Sequence, residues 1–233
     1  MNTPVDESLF SVAVTHTGYR RSRNEDAVLA RDHYGLWAVA DGMGGHSRGD
    51  EASQAVIAGL DDLAATCRGR GLAALLAPTL KQVNAQLHAR ATALGDDATM
   101  GSTAVVLALE GDGFHCCWAG DSRAYLLRAG RLEPLTRDHR QTADGAASTM
   151  LTRAVGAQDT LEVDAVQGEL YEDDVFLLCS DGLTAVVDEA TIAGVLAHGE
   201  PATVGEQLVE SALAAGGPDN ISCVAVFVRG GSS

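Results

Sequence analysis

Four short acidic motifs constrain this chain more than any other feature: Asn24-Glu25-Asp26, Asp41-Gly42-Met43-Gly44-Gly45-His46, Asp181-Gly182 and Asp219-Asn220. Each sets an aspartate at the end of an apolar run or beside a glycine turn. Residues 36–40 run into Asp41, residues 175–179 lead to Asp181, and Asp219 precedes the apolar run 221–228. Carboxylates placed this way converge at one end of a sheet, where they repel one another unless a cation sits among them. Oxygen donors of this kind suit Mg²⁺ or Mn²⁺ rather than zinc. The pattern points to a layered fold with a metal edge, and to two-metal phosphoester hydrolysis.

The elements between the motifs narrow the fold. Residues 12–15, 27–30 and 36–40 read as strands. Residues 50–67 then switch to helical spacing, with Ala52, Ala55, Val56, Leu60 and Leu63 on one stripe and Asp50 and Glu51 in the first turn. A second helix spans 72–93, where Pro78 marks either a break or the first turn of a restarted helix. Strands follow at 102–110, 114–119, 124–128 and 131–135, joined by the hairpin residues Gly111-Asp112-Gly113 and Ala129-Gly130. Residues 140–149 are small and polar and read as a loop. Strands at 163–169 and 175–179, helices at 188–197 and 201–215, and a strand at 221–228 complete the order, with a frayed tail at 230–233. Hairpin-linked strands and helices in pairs exclude regular βαβ alternation and predict an α+β layered sandwich. The whole chain, 1–233, reads as a single domain.

Composition excludes several partners. Lys and Arg number 16 against 32 Asp and Glu, a formal charge of −16 that repels nucleic acid and anionic membranes. A phosphorylated substrate needs a locally positive site, which divalent metals and one well-placed arginine can supply. Cys67, Cys116, Cys117, Cys179 and Cys223 form no C-x-x-C pair and read as small buried hydrophobes in a reducing compartment. Residues 1–15 have no signal-peptide pattern and no run is long enough for a membrane span, so the expected location is the cytoplasm.

Each candidate side chain has a plain alternative. The glycines after Asp41 let the backbone turn closely about a ligand, and Gly42 can offer a carbonyl oxygen. A dinucleotide-binding loop is excluded, because Ser47 stands at the third glycine position and Asp41 would face a pyrophosphate. Asp121, in Gly120-Asp121-Ser122-Arg123, is either a hairpin residue paired with Arg123 or a ligand for an additional, weaker metal beside Asp181. Glu25 and Asp26 sit in a short polar turn where they can hold metal-bound waters. Arg21, within the basic cluster Arg20, Arg21, Arg23, is either a phosphate clamp or part of a solvated loop. His46 is either a proton donor to the leaving oxygen or an exposed loop residue. His139 reads as structural.

The ordered motifs resemble those of the bacterial metal-dependent Ser/Thr protein phosphatases of the PPM (type 2C) family. They are Gly18-x-x-Arg21-x-x-Asn24-Glu25-Asp26, the Asp41 motif, Gly101-Ser102-Thr103, Ala119-Gly120-Asp121-Ser122-Arg123, Asp138-His139, Leu151-Thr152-Arg153-Ala154-Val155-Gly156, Ser180-Asp181-Gly182-Leu183 and Gly217-x-Asp219-Asn220. The match covers residues 9–228. It implies a four-layer αββα sandwich, two antiparallel sheets flanked by helix pairs, with the metals at the sheet edges. It also implies that Asp41 bridges two Mn²⁺ or Mg²⁺ ions and that Gly42, Asp181 and Asp219 complete their ligands. Glu25 and Asp26 would hold metal-bound waters, Arg21 the phosphate, and Asp121 with Asp181 a third, weaker metal. The implied activity is hydrolysis of phosphoserine and phosphothreonine by direct attack of a metal-bridging hydroxide, opposing a cognate kinase, in a monomer. His46 belongs to the bacterial motif, but Met43 stands where animal-type members carry histidine. The segment 140–150 is shorter than the flap of many bacterial members, which implies a more open cleft and altered third-metal binding. A small-phosphoester hydrolase shares these ligands, and a non-catalytic phosphoprotein-binding module would usually have lost them.

Overall fold

The computed structural model describes residues 9–44, 48–68, 71–95, 98–142 and 149–229. His46, the tip of the 140–150 segment and the 230–233 tail lie outside the described residues. The chain opens with β1 (Leu9–His16), β2 (Asp26–Arg31) and β3 (Leu36–Met43), then the long helices α1 (Arg48–Cys67) and α2 (Leu72–Leu94). A run of strands follows: β4 (Gly101–Ser102), β5 (Ala104–Glu110), β6 (Gly113–Ala119), β7 (Arg123–Arg128) and β8 (Arg131–Pro134). Next come β9 (Arg140–Thr142), β10 (Thr149–Leu151), β11 (Asp164–Glu169) and β12 (Val175–Cys179). The helices α3 (Asp181–Thr184), α4 (Glu189–His198) and α5 (Val204–Ala214) precede the last strand, β13 (Ile221–Val228).

Two antiparallel sheets stack between two helix layers. One sheet runs β1-β13-β12-β7-β8; the other runs β11-β6-β5-β3-β2, with β4 added beside β3. The strand pleat sorts side chains between layers. Along β3, Trp37 and Val39 face the other sheet, whereas Leu36, Ala38 and Ala40 face α1 and α2. Along β12, Phe176 and Leu178 face the first of these interiors while Val175, Leu177 and Cys179 pack under α4 and α5. Cys116 and Cys117 likewise point to opposite faces of β6. Small alanines on the helix side of β3 and β5 let α1 lie close to the sheet. Bulky residues fill the space between sheets. The α+β sandwich expected from the hairpins and paired helices is the one observed.

Local differences have physical reasons. Pro78 neither breaks nor restarts α2, which runs through it. Pro78 and Ala74 are both exposed, so the carbonyl freed by the missing N–H faces water. Meanwhile Leu72, Leu76, Leu80, Val83 and Leu87 bury the opposite face of the helix. The segment read as a loop at 140–149 has strand pairing at its base, where β9 and β10 pair Arg140 with Leu151 and Gln141 with Met150. Thr103 separates β4 from β5, where one strand was expected, because its backbone turns to bond Asp41.

Candidate metal centre

Strand β3 carries Asp41 to the edge of its sheet, directly opposite Asp26 at the start of β2. The Asp41 N–H donates to Thr103 Oγ1 (3.0 Å), and the Thr103 N–H donates to the Asp41 carbonyl (2.8 Å). Asp26 is therefore a strand residue, not the turn residue that its polar neighbours suggest. It is 6% exposed, and its Oδ2 accepts from Ser180 Oγ at 2.8 Å, which links the two sheets. Its other oxygen, Oδ1, is buried with no hydrogen-bond partner among the described residues. Gly42 is required by close approach: a Cβ there would lie 2.0 Å from the Gly49 carbonyl oxygen, where α1 begins. The Glu25 side chain lies against Gly49 in that same first turn, and its carbonyl accepts from the Gly42 N–H (3.1 Å) and Ser53 Oγ (2.6 Å). Glu25 thus braces the start of α1, where the helix dipole favours an anion.

The other sheet supplies Asp181 and Asp219. Asp181 is the first residue of the one-turn helix α3, two residues past the end of β12. Asp219 sits just before β13, and its Oδ1 accepts from the Asn220 N–H (2.8 Å). Asn220 does more than hold its own turn. Its Oδ1 accepts from the Glu25 N–H, and its Nδ2 donates to the carbonyls of Thr17 and Arg23, each at 2.8 Å. One amide side chain therefore fastens the 17–25 loop to the start of β13. Gly182 is needed here too, since a Cβ would sit 1.8 Å from the Asn220 carbonyl oxygen.

Asp121, in the turn between β6 and β7, is buried at 5% exposure. It does not pair with Arg123, which makes a bidentate bond to Asp138 (2.8 Å twice). The partner of Asp121 is Arg140, whose Nε bonds Asp121 Oδ2 and whose Nη2 bonds Asp181 Oδ2. On the other side Arg21 Nη2 bonds Asp219 Oδ2 at 2.7 Å. Among the described residues no ion pair joins Arg20 or Arg23 to these carboxylates. Arg140 was not singled out by sequence reasoning; its place directly after Asp138-His139 is the signal that could have found it.

The electrostatics follow from this gathering. Burial, and then the charges of Asp26, Asp181, Asp121 and Asp219, push the Asp41 carboxyl well above the usual carboxylate range. Burial pushes Asp26 up to about 6 while the hydroxyls of Ser222 and Ser180 pull it back and Asp181 and Asp219 add to the rise. Asp121 is raised by burial and by Asp181, with Arg140 opposing. Five aspartates drawn from both sheets thus feel one another at one edge. Among the described residues no three His, Cys, Asp or Glu side chains already form a closed cage. Three of the five carboxylates are turned toward Arg21 and Arg140 instead. The donor set nonetheless fits a hard divalent ion: it is all oxygen, it repels itself, and it includes the orphaned Asp26 Oδ1.

Comparison with known proteins follows the same lines. A family model described as Protein phosphatase 2C matches residues 4–145. The serine/threonine protein phosphatase PstP of Mycobacterium tuberculosis is 36% identical over 225 residues, covering 91% of this chain and 43% of that protein. The chain thus spans less than half the length of that relative. Among solved structures, PppA, described as a key regulatory component of T6SS in Pseudomonas aeruginosa, superposes with a TM-score of 0.86. It is 39% identical, and the match covers 95% of this chain and 98% of that one. The catalytic domain of PstP in complex with 2 manganese ions superposes with a TM-score of 0.85 at 35% identity, over 95% and 99% of the two chains.

Proposed function

The chain belongs to the protein phosphatase 2C family, and from that premise we propose that it is a metal-dependent protein serine/threonine phosphatase opposing a serine/threonine kinase. The observation that carries this reading is the convergence of Asp26, Asp41, Asp121, Asp181 and Asp219 from two sheets onto one edge. On this reading Asp41, the Gly42 carbonyl, Asp181 and Asp219 would hold two Mn²⁺ or Mg²⁺ ions, with Glu25 and Asp26 holding the surrounding waters. Bound divalent ions supply Lewis acidity toward phosphoryl oxygens and a water nucleophile at neutral pH.

The chain's own residues then bind and orient. Arg21 is tied by one nitrogen to Asp219, yet its side chain is 55% exposed, so the guanidinium can meet a phosphate arriving from solvent. Asn220 fixes the loop that carries Arg21, and so sets its distance from Asp219 and Asp41. Thiol chemistry has no support: Cys116, Cys117, Cys179 and Cys223 are buried, and burial pushes Cys117 and Cys223 up to about 12. On this reading the leaving alkoxide takes up a proton from His46 or from water at the site.

The substrates on this reading are phosphorylated Ser/Thr proteins, among them a cognate kinase or its targets, met by a monomer in the cytoplasm through one catalytic domain. The charge of −16 supports a protein substrate over nucleic acid or an anionic membrane. No helix among the described residues is long and apolar enough to cross a membrane. The test is Mn²⁺-dependent phosphate release from a phosphothreonine peptide, with wild type beside Asp41→Asn and Asp219→Asn. Activity that requires Mn²⁺ and collapses in both variants is expected. A wild type that binds Mn²⁺ yet releases no phosphate from any phosphoserine or phosphothreonine peptide would sink the proposal.

A further inference from the structure

The segment before Arg140 is held at every residue. Thr136 Oγ1 accepts from the Ala124 N–H (3.1 Å), and the Arg137 carbonyl accepts from Trp118 Nε1 (2.9 Å). Asp138 is gripped by both nitrogens of Arg123 that face it. His139 exchanges two bonds with Gly120: its N–H donates to the Gly120 carbonyl (2.9 Å) and its Nδ1 accepts from the Gly120 N–H (3.1 Å). Its ring stacks on Trp118, with centroids 6.0 Å apart and planes 12° apart. The His139 carbonyl accepts from the Thr152 N–H (2.8 Å), which ties in the second arm of the β9–β10 hairpin. A chain so fixed leaves Arg140 little choice of position. Its guanidinium spans Asp121 and Asp181, one nitrogen on each.

A planar guanidinium between two carboxylates does the job of a cation there, with a permanent single charge and directional donors. We propose that Arg140 is the built-in counter-ion of the Asp121–Asp181 pair, so that a third divalent ion binds at this pair only by displacing it. The inference rests on the proposed phosphatase reading, because it takes Asp41, Asp181 and Asp219 as holders of two other ions. At Asp181 Arg140 bonds only Oδ2, and among the described residues no bond joins it to Asp41 or Asp219, so those two ions keep Asp41, Asp219 and the other oxygen of Asp181 as ligands. Arg140 is thus a positioning residue. It sets the number of ions the site takes up, and it orients Asp181 toward one side of the edge.

The decisive measurement is a count of Mn²⁺ bound per chain by equilibrium dialysis, with free Mn²⁺ varied, on wild type, Arg140→Gln, Arg140→Lys and Arg140→Gln combined with Asp121→Asn. Wild type should saturate at two ions. Arg140→Gln should take up a third at least about tenfold more tightly than wild type does, since one charge-assisted contact is worth that much. The third ion should vanish when Asp121→Asn is added, and Arg140→Lys, which keeps the charge, should stay at two. Thermal melting of each metal-free variant reports that it is folded. A wild type that takes up three ions readily, or an Arg140→Gln variant with the same count and affinity as wild type, overturns the proposal. The wild-type count stands as a test even if Arg140→Gln does not fold. A wild type that binds no Mn²⁺ would instead overturn the phosphatase reading itself.

Discussion

The space between the two sheets and the edge where those sheets end are built by the same strands under opposite rules. Strand β3 contributes Trp37 and Val39 to the interior and, two residues on, Asp41 to the edge. Strand β12 gives Phe176 and Leu178 to the interior and leads within two residues to Asp181. In the interior every neighbour agrees, apolar against apolar, and even the Trp37 Nε1–H finds Asp32 at 2.8 Å. At the edge the neighbours conflict, since buried and half-buried carboxylates face one another, and burial with mutual repulsion pushes the protonation of Asp41 and Asp26 upward. The interior is the source of stability, and the edge holds groups that only a cation reconciles. This difference teaches that the candidate site is a place where the fold is locally unfavourable by construction.

Substitutions on the two sides should therefore fail in different ways. The largest effect belongs to Asp41→Asn: Mn²⁺-dependent phosphate release should fall by about 10³-fold or more. Its metal-free melting temperature should not drop, and a clear loss of stability would break the contrast. Trp37→Ala should do the reverse. It should cost about 3–5 kcal/mol by urea denaturation while the folded fraction keeps its kcat.

Asp26→Asn sharpens the contrast by pH. The folded carboxyl is pushed above its ordinary value of 3.8 to about 6, so the native state holds the proton more tightly than the unfolded chain. Its contribution to stability is therefore present below 3.8 and lost as pH rises through about 6. Without metal at pH 7.5, Asp26→Asn should be more stable than wild type by roughly 1–3 kcal/mol, and the gain should shrink toward pH 4. Denaturation curves at the two pH values check this; a gain independent of pH would count against the charge explanation. The smallest effect is Arg21→Ala, which should lower kcat/KM by roughly 10–100-fold with stability unchanged. A steady-state assay with a phosphothreonine peptide reads it.

The interior was far more legible in the sequence than the edge. The boundaries Val175–Cys179 and Ile221–Val228 could be read directly, because an unbroken apolar run between turn residues has one simple structural meaning. The acidic edge was legible as a set of aspartates beside glycines, but not as a set of contacts. Arg140 was marked only by its place directly after Asp138-His139, since its partners lie 19 and 41 residues away and the clamped 136–139 segment aims it. Asp26 looked like a turn residue because its neighbours Asn24 and Glu25 are polar, while its pairing with Asp41 is a tertiary fact. The reach of Asn220 to Thr17, Arg23 and Glu25 is of the same kind. Pro78 misled in the other direction, because a proline on an exposed helix face costs little when water takes the freed carbonyl.

The central claim is that the carboxylates of the two sheets conflict until a divalent ion joins them. Its most direct test is the melting temperature of metal-free protein at neutral pH, measured with and without Mn²⁺ for wild type and Asp41→Asn. An ion that binds only the folded state must raise the melting temperature. The account predicts a marked, Mn²⁺-dependent rise in wild type that is lost or greatly reduced in Asp41→Asn. A wild type that does not respond to Mn²⁺, or an equal rise in both proteins, would contradict it.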